Sequence, residues 1–322
     1  MRWLAAFGFL LFACSSQPQP VAVSTPSAAA APSLASCRLA VIQGSRGQGA
    51  GPQTPGFLNL SDLTFNSDPS AGDGMFYDKP LKRWVPWGPP GLSADGASYA
   101  YVDGDQTSSR IHIVDVRTNV DIVLAAGGPW RLAGLQPDAV YVMSLKYLPY
   151  SEAYGVMAVG TGLWKVLLTG GDPKQLTNDS RNWPFVTAGA AWGDSSTYDI
   201  AGGPNDVVRL DLKTLQTTTW LDPGMRSYLL GFDAGGAPLI TSSAADEHLW
   251  RVRGPGDAVE LWSGPTNGVR PYAPLAADAG TIWFSSINQT PSWSIFRYTA
   301  AAGMKVVANF SDHPVSVAGP CA

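Results

Sequence analysis

Two neighbouring stretches decide the fold: Ser93-Ala-Asp-Gly96, opening Ala97-Ser-Tyr-Ala-Tyr-Val102, and then Ile111-His-Ile-Val-Asp-Val-Arg-Thr-Asn-Val-Asp-Ile-Val-Leu124. In each, apolar and polar residues alternate with period two, and Gly or Thr-Asn breaks the alternation, which reads as antiparallel hairpins. Working outward, the second pattern recurs at Met75–Val85, Leu163–Asp172, Val207–Gln216, Leu249–Asp257 and Ile295–Gly303. The equivalent positions Asp78, Asp115, Leu167, Asp211, Arg253 and Thr299 are spaced 37, 52, 44, 42 and 46 residues apart. Turns at Gln136-Pro-Asp138, Gly193-Asp194, Asp233-Ala-Gly235 and Asp278-Ala-Gly280 repeat the first marker ahead of further strands. Composition agrees. With 35 Gly, 26 Pro and 12 Trp, and only 14% charged residues, the 322-residue chain suits short strands and tight turns rather than helical bundles.

Two hairpin-linked strand pairs per repeat make one four-stranded propeller blade. Six hairpins predict an all-β, six-bladed β-propeller of four-stranded antiparallel blades over residues 37–322; a seventh blade would need a hairpin that the pattern does not display. A propeller must hide its edge strands by closing. The short apolar strands Arg38–Ile42 and Val315–Val317 are expected to pair within one blade and so close the ring. The Ser93–Gly96 turn followed by Ile111–Thr118 resembles the blade signature of the TolB and WD40-like Asp-repeat propellers. The resemblance implies a six-bladed fold; the helix-bearing N-terminal domain of TolB has no counterpart here, so its particular role does not carry over. Prolyl oligopeptidases also carry propellers, but no hydrolase domain follows.

The N-terminus reads as an address. Arg2 precedes the uncharged apolar run Trp3–Ala13, too short to span a bilayer and suited to an export signal over residues 1–13. Leu11-Phe-Ala-Cys14 resembles the bacterial lipobox, with Phe12 bulkier than usual, and implies lipidation of Cys14 after cleavage. Residues 15–36 carry no charge, and 16 of the 22 are Ala, Ser or Pro, so residues 14–36 form a lipidated, disordered tether. With Cys14 so used, Cys37 and Cys321 remain. In the oxidising compartment of an exported protein they are expected to form a disulfide that locks the two chain ends.

The net charge of −4 and a pI of about 5.3 exclude a nucleic-acid binder that works by bulk electrostatics. No G-x-S-x-G elbow is present, and Gly44–Gly51 lacks the Lys-Ser/Thr of a phosphate loop. His112, His248 and His313 are far apart in sequence and no Cys/His cluster points to a metal, so neither metal nor cofactor is expected. Asp278–Trp283 resembles the sialidase Asp-box, itself a structural turn. Asp199, Asp206, Asp246 and Glu247 offer no distinguished pair for glycoside hydrolysis.

One pattern is sharper. Trp130-Arg131, Arg181-Asn-Trp183, Arg226-Ser-Tyr228 and Arg270-Pro-Tyr272 repeat an arginine beside an aromatic, with arginine spacings of 50, 45 and 44. Equivalent blade positions would bring Arg131, Arg181, Arg226 and Arg270, with Trp130, Trp183, Tyr228 and Tyr272, to one loop face. Guanidinium forks bind carboxylate or phosphate, and aromatic rings stack on sugars. The alternative is that these arginines and rings simply hold the blades together. Aromatic loops at Tyr147–Tyr154 and Asn288–Trp293 are further candidates. The sequence therefore reads as a lipid-anchored protein of the bacterial cell envelope that binds a protein partner or an anionic or glycan ligand, touching the membrane through its anchor alone. A lactonase- or lyase-like propeller enzyme with a metal at the channel mouth, and an envelope scaffold, are the rival readings.

Overall fold

The structure is a computed structural model that describes residues 36–44, 52–72, 75–86, 88–151, 155–187, 189–195, 205–243, 246–265, 270–278, 280–287, 293–311 and 313–322. The expected signal peptide, Cys14 and nearly all of the tether lie outside these residues, as do most of the Gly44–Gly51 run and Asp199.

The described residues form 25 strands in seven antiparallel sheets. The first contains β1 (Arg38–Gln43), β2 (Thr54–Asn59) and β3 (Phe65–Ser67); the second is the hairpin β4 (Phe76–Asp78) and β5 (Arg83–Val85). The third holds β6 (Ser98–Gly104), β7 (Ser109–Asp115) and β8 (Asp121–Gly127), extended inward by a bridge from Leu92 to Tyr99. The fourth is β9 (Trp130–Gln136), β10 (Ala139–Ser151), β11 (Gly155–Leu167) and β12 (Lys174–Thr177). The fifth is β13 (Asn182–Thr187), β14 (Ala190–Asp194), β15 (Val207–Asp211) and β16 (Thr217–Leu221). The sixth is β17 (Arg226–Phe232), β18 (Pro238–Ser243), β19 (Asp246–Gly254) and β20 (Asp257–Pro265). The seventh is β21 (Arg270–Asp278), β22 (Thr281–Ile287), β23 (Trp293–Thr299) and β24 (Gly303–Phe310). The last strand, β25 (Val315–Cys321), returns to the first sheet and pairs with β1 in the order β25-β1-β2-β3.

Alternation along each strand sends successive side chains into the seams on either side. Leu39 and Val41 of β1 pack with Trp283, Ile295 and Ala308 of the seventh sheet. Ala40 and Ile42, one residue out of phase, pack with Tyr77 and Trp84 of the second. The third and fourth sheets meet at Ile111, Leu124 and Val166, and the fourth and fifth at Tyr141, Met143, Trp183 and Leu210. The fifth and sixth meet at Trp192, Leu229 and Ile240, and the sixth and seventh at Leu239, Phe284 and Phe296. Between the second and third, Arg83 Nη1 donates to the Val116 carbonyl at 3.1 Å. No sheet closes on itself, but the order of seams returns to its start. First strands meet from sheet to sheet (β6 with β9, β9 with β13, β17 with β21, β21 with β25), so they form the inner side of the arrangement.

The closing pair forms as expected. Leu39 lies opposite Cys321, Val41 opposite Val317, and Cys37 is bonded to Cys321 with Cα atoms 5.2 Å apart. All six hairpins read from the sequence are present, each as the last two strands of a sheet. The sheets nevertheless number seven, because β2–β3 is a further hairpin and β4–β5 stands alone as two strands.

Turn chemistry explains the omission. In the Asp115 and Asp211 turns, the carboxylate accepts the amides of Thr118 and Thr214, and the fifth residue (Asn119, Leu215) is left-handed at φ 57°. These bonds hold both carboxyls below the usual carboxylate range. The β2–β3 turn has the same frame: Asn59 N donates to Thr64 O, and Leu63 N, at φ 58°, donates to Asn59 O. Asn59 stands where the others carry Asp, so the signature is absent. The Ser93–Gly96 turn forms as read, with Asp95 accepting from Ser93 Oγ and Ala97 N, and Gly96 at φ 68°.

Candidate functional site

The four arginines all fall at the N-terminal ends of inner strands of four successive sheets. Arg131 is the second residue of β9, Arg181 immediately precedes β13, and Arg226 and Arg270 open β17 and β21. In each of these sheets the first strand is followed by an antiparallel second strand. The side chains differ in their surroundings. Arg131 is exposed and Arg226 half-buried, and both have partners. Arg181 is held between two carboxylates: Nε donates to Asp179 Oδ2 at 3.1 Å, and Nη1 pairs with Asp206 Oδ1 at 2.5 Å. Asp206 in turn accepts from Thr219 Oγ1. Arg181 therefore clamps the loop before β15 to the start of β13. The side chains of Arg270 and Tyr272 lie outside the described set; their backbones pair with Ile287 and Ser285.

Three of the four aromatics have described side chains, and their surroundings differ. Trp183 is 1% exposed, in the core between the fourth and fifth sheets, with Nε1 donating to Asp179 O. Trp130 packs edge-on against Trp164 at 5.5 Å. Tyr228 is half-buried on β17, opposite Thr241. Adjacent residues on a strand point to opposite faces, so Trp130 and Arg131 cannot both face one ligand. Trp183 and Trp130 lie in the hydrophobic seams on either side of the fourth sheet.

Behind the arginines lies a residue that the sequence placed wrongly. Gly193-Asp194 was expected to be a turn; instead Asp194 ends β14, fully buried, and the actual turn of that hairpin joins Thr187 to Ala190. Its Oδ1 accepts from Asn182 Nδ2 at 2.7 Å, and its Oδ2 from the Leu229 amide of the sixth sheet at 2.8 Å. Ser195 completes the clip: its Oγ accepts from Ser227 N and its amide donates to Ser227 O. Burial pushes the Asp194 carboxyl up to about 7, against the pull of these bonds and of Arg131 and Arg181. A titratable group thus sits beside two of the four arginines.

The supposed loop at Tyr147–Tyr154 is largely strand. β10 and β11 run on past their neighbours, with Tyr147 opposite Ala158 and Ser151 opposite Gly155. This two-stranded arm rises from the end that carries Arg131, and it passes so close to β13 that a Cβ on Gly160 would lie 2.5 Å from the Arg181 carbonyl oxygen. Its tip, residues 152–154, and residues 288–292 of the other aromatic candidate lie outside the described residues.

The histidines are engaged locally. His112 Nδ1 lies 2.9 Å from Asp121, with its ring stacked on Tyr101 at 4.4 Å, and His248 pairs with Glu260. Among the described residues no three His, Cys, Asp or Glu side chains stand together as metal ligands, and no helix is long and apolar enough to cross a membrane. Asp246 is exposed at the start of β19 and Glu247 beside it is buried.

No family model and no curated protein matches the sequence. Among solved structures, the chain is similar to TolB from Acinetobacter baumannii, with a TM-score of 0.55 at 15% identity, covering 90% of this chain and 68% of that one. It also aligns with a structure assigned as TolB from Agrobacterium tumefaciens (TM-score 0.45, 13% identity, 88% of this chain and 94% of that one). An oligogalacturonate lyase in complex with manganese gives a TM-score of 0.46 at 14% identity over 81% of this chain and 70% of that one. Identities this low speak to fold alone, and the first comparison carries it: the fold is a TolB-like β-propeller.

Proposed function

We propose that this protein is an exported, envelope-located binding protein, held to a membrane by a lipid on Cys14 and a tether to residue 36. Residues 37–322 form one propeller domain, in which six fuller blades and the β4–β5 hairpin share the ring. It binds a protein partner or an anionic or glycan ligand at the edge carrying Arg131, Arg226 and Arg270, with Arg181 as the fixed support behind them. One observation supports this reading: the first strands of four successive sheets each carry an arginine within one residue of their N-terminal end, and guanidiniums brought to one edge would converge on carboxylate or phosphate. The β10–β11 arm would form one wall of the site. Tyr228 and Tyr272 are the rings still suited to stack on a sugar, since Trp183 is committed to the core.

A thermal-shift screen of anionic metabolites and envelope glycans tests the reading. Hits should stabilise the wild type and lose most of that effect in Arg131→Ala/Arg226→Ala, which spares the Arg181 clamp. Equal stabilisation of both proteins would remove the arginine edge as the site. A flat screen, with crosslinking in native envelopes that captures nothing through this edge, would sink the binding reading altogether.

A further inference from the structure

A cavity of about 350 Å³ lies elsewhere, in the outer part of the seam between the first and seventh sheets. Its lining comes from both sheets, among them Phe65 of β3, a strand of three residues, and Asn309 and Phe310 of β24, a strand of eight. The fifth and sixth sheets fill the corresponding outer positions with Trp220 and Trp262. Here Phe65 and Phe310 both line the cavity. Leu58, Leu63 and Val315 complete the apolar wall, and Leu63 is 43% exposed.

The polar lining is sparse and consists of Gln43, Asn309 and His313. Asn309 already accepts a hydrogen bond from Ser294 Oγ at 2.7 Å, so its amide NH₂ is what it offers an occupant. Among the described residues the lining contains no Asp, Glu, Lys or Arg. An ionised head would lose its hydration against the apolar wall, at a cost that a neutral hydrogen-bonding head avoids. In proportion to a cavity of about 150 Å³ that holds benzene, this one holds roughly a dozen non-hydrogen atoms. We infer that the seam between the first and seventh sheets binds one medium-length alkyl chain ending in an uncharged hydrogen-bonding head, the tail between Phe65 and Phe310 and the head at Gln43, Asn309 and His313. This site is separate from the arginine edge and stands or falls without it.

The test is isothermal titration of octan-1-ol into the full chain carrying Cys14→Ser, which removes the expected acylation site. Saturable binding at one site per chain is expected. Leu63→Asn keeps the turn, since Asn119 occupies the same left-handed position in its own hairpin. This variant should bind about tenfold more weakly, the ratio that roughly 1.4 kcal/mol of lost apolar contact gives. Asn309→Trp should abolish binding by filling the space; if it fails to fold, Leu63→Asn decides alone. Absence of saturable binding, unchanged affinity in Leu63→Asn, or octanoate binding at pH 8 as tightly as octan-1-ol would each overturn the assignment.

Discussion

The seam between the seventh and first sheets and the seam between the fifth and sixth solve one problem by different means. Both bring an inner strand against the second strand of its neighbour, and both use a side chain to hold a backbone amide: Ser285 Oγ takes Val317 N, and Asp194 takes Leu229 N. At the fifth and sixth sheets the chain passes directly from Leu221 to Arg226, so bringing the two together costs little loop entropy. That seam accommodates a buried carboxyl. At the other, the seam can form only after β1 has found β25 from the far end of the sequence, and that pairing, within the first sheet, is covalently tied across 284 residues. Connectivity, more than composition, sets where a cross-link is needed.

The largest expected effect falls on the pairing of β1 with β25, which the fifth and sixth sheets have no need of. Replacing both Cys37 and Cys321 by Ala removes a constraint worth up to about 5–6 kcal/mol by chain-entropy arithmetic, an upper figure. Chemical denaturation should show a large loss of stability; a loss below about 1 kcal/mol would mean that strand pairing alone seals the ring. Next comes Trp183→Ala, in the core between the fourth and fifth sheets, expected to cost about 3–5 kcal/mol. Arg131→Ala, at an exposed side chain, should cost less, about 1 kcal/mol or below. Similar losses for the two would contradict the division between seam residues and candidate ligand-binding residues.

The third prediction concerns pH. The folded-state pKa of Asp194 is raised to about 7, so between about pH 4 and 7 the folded state holds a proton that the unfolded state has released. Stability should therefore fall as pH rises through this window and then level off. Asp194→Asn should flatten this part of the profile; an unchanged profile in thermal melts would show that another group sets it. The smallest effect tests the hidden hairpin. Asn59→Asp restores the residue found in the Asp115 and Asp211 turns and should shift stability by less than about 1 kcal/mol, without loss of folding. A large destabilisation would mean that the β2–β3 turn is not the same turn.

Much of the fold was legible because turns write themselves locally. Asp115 and Asp211 with their Thr partners, and Ser93–Gly96, are recognisable from a few adjacent residues, and alternation around them marks the hairpins. Asn59 hid a hairpin because an amide can begin the same turn without matching the signature. Tyr147–Tyr154 was read as a loop, yet its strand carries Pro149, which is tolerated in a ribbon that has no strand beyond it. Asp194 was the harder case, since next to Gly it has the composition of a turn. Only the arrival of β17 from the next sheet makes it a buried acceptor. Of the candidate site, the arginine spacing was readable, but not the fate of Trp183, which depends on packing against Tyr141 and Met143 some forty residues away.

The claim that the two chain ends share one sheet and close the ring is tested most directly by hydrogen exchange on oxidised and reduced protein. On reduction, amides of β1 and β25 should lose protection together, followed by those of β22 and β23 in the seam they cover, while β10 and β14 stay protected. Loss beginning in β14 or β17, or β25 exchanging freely while β1 remains protected in the oxidised protein, would contradict it.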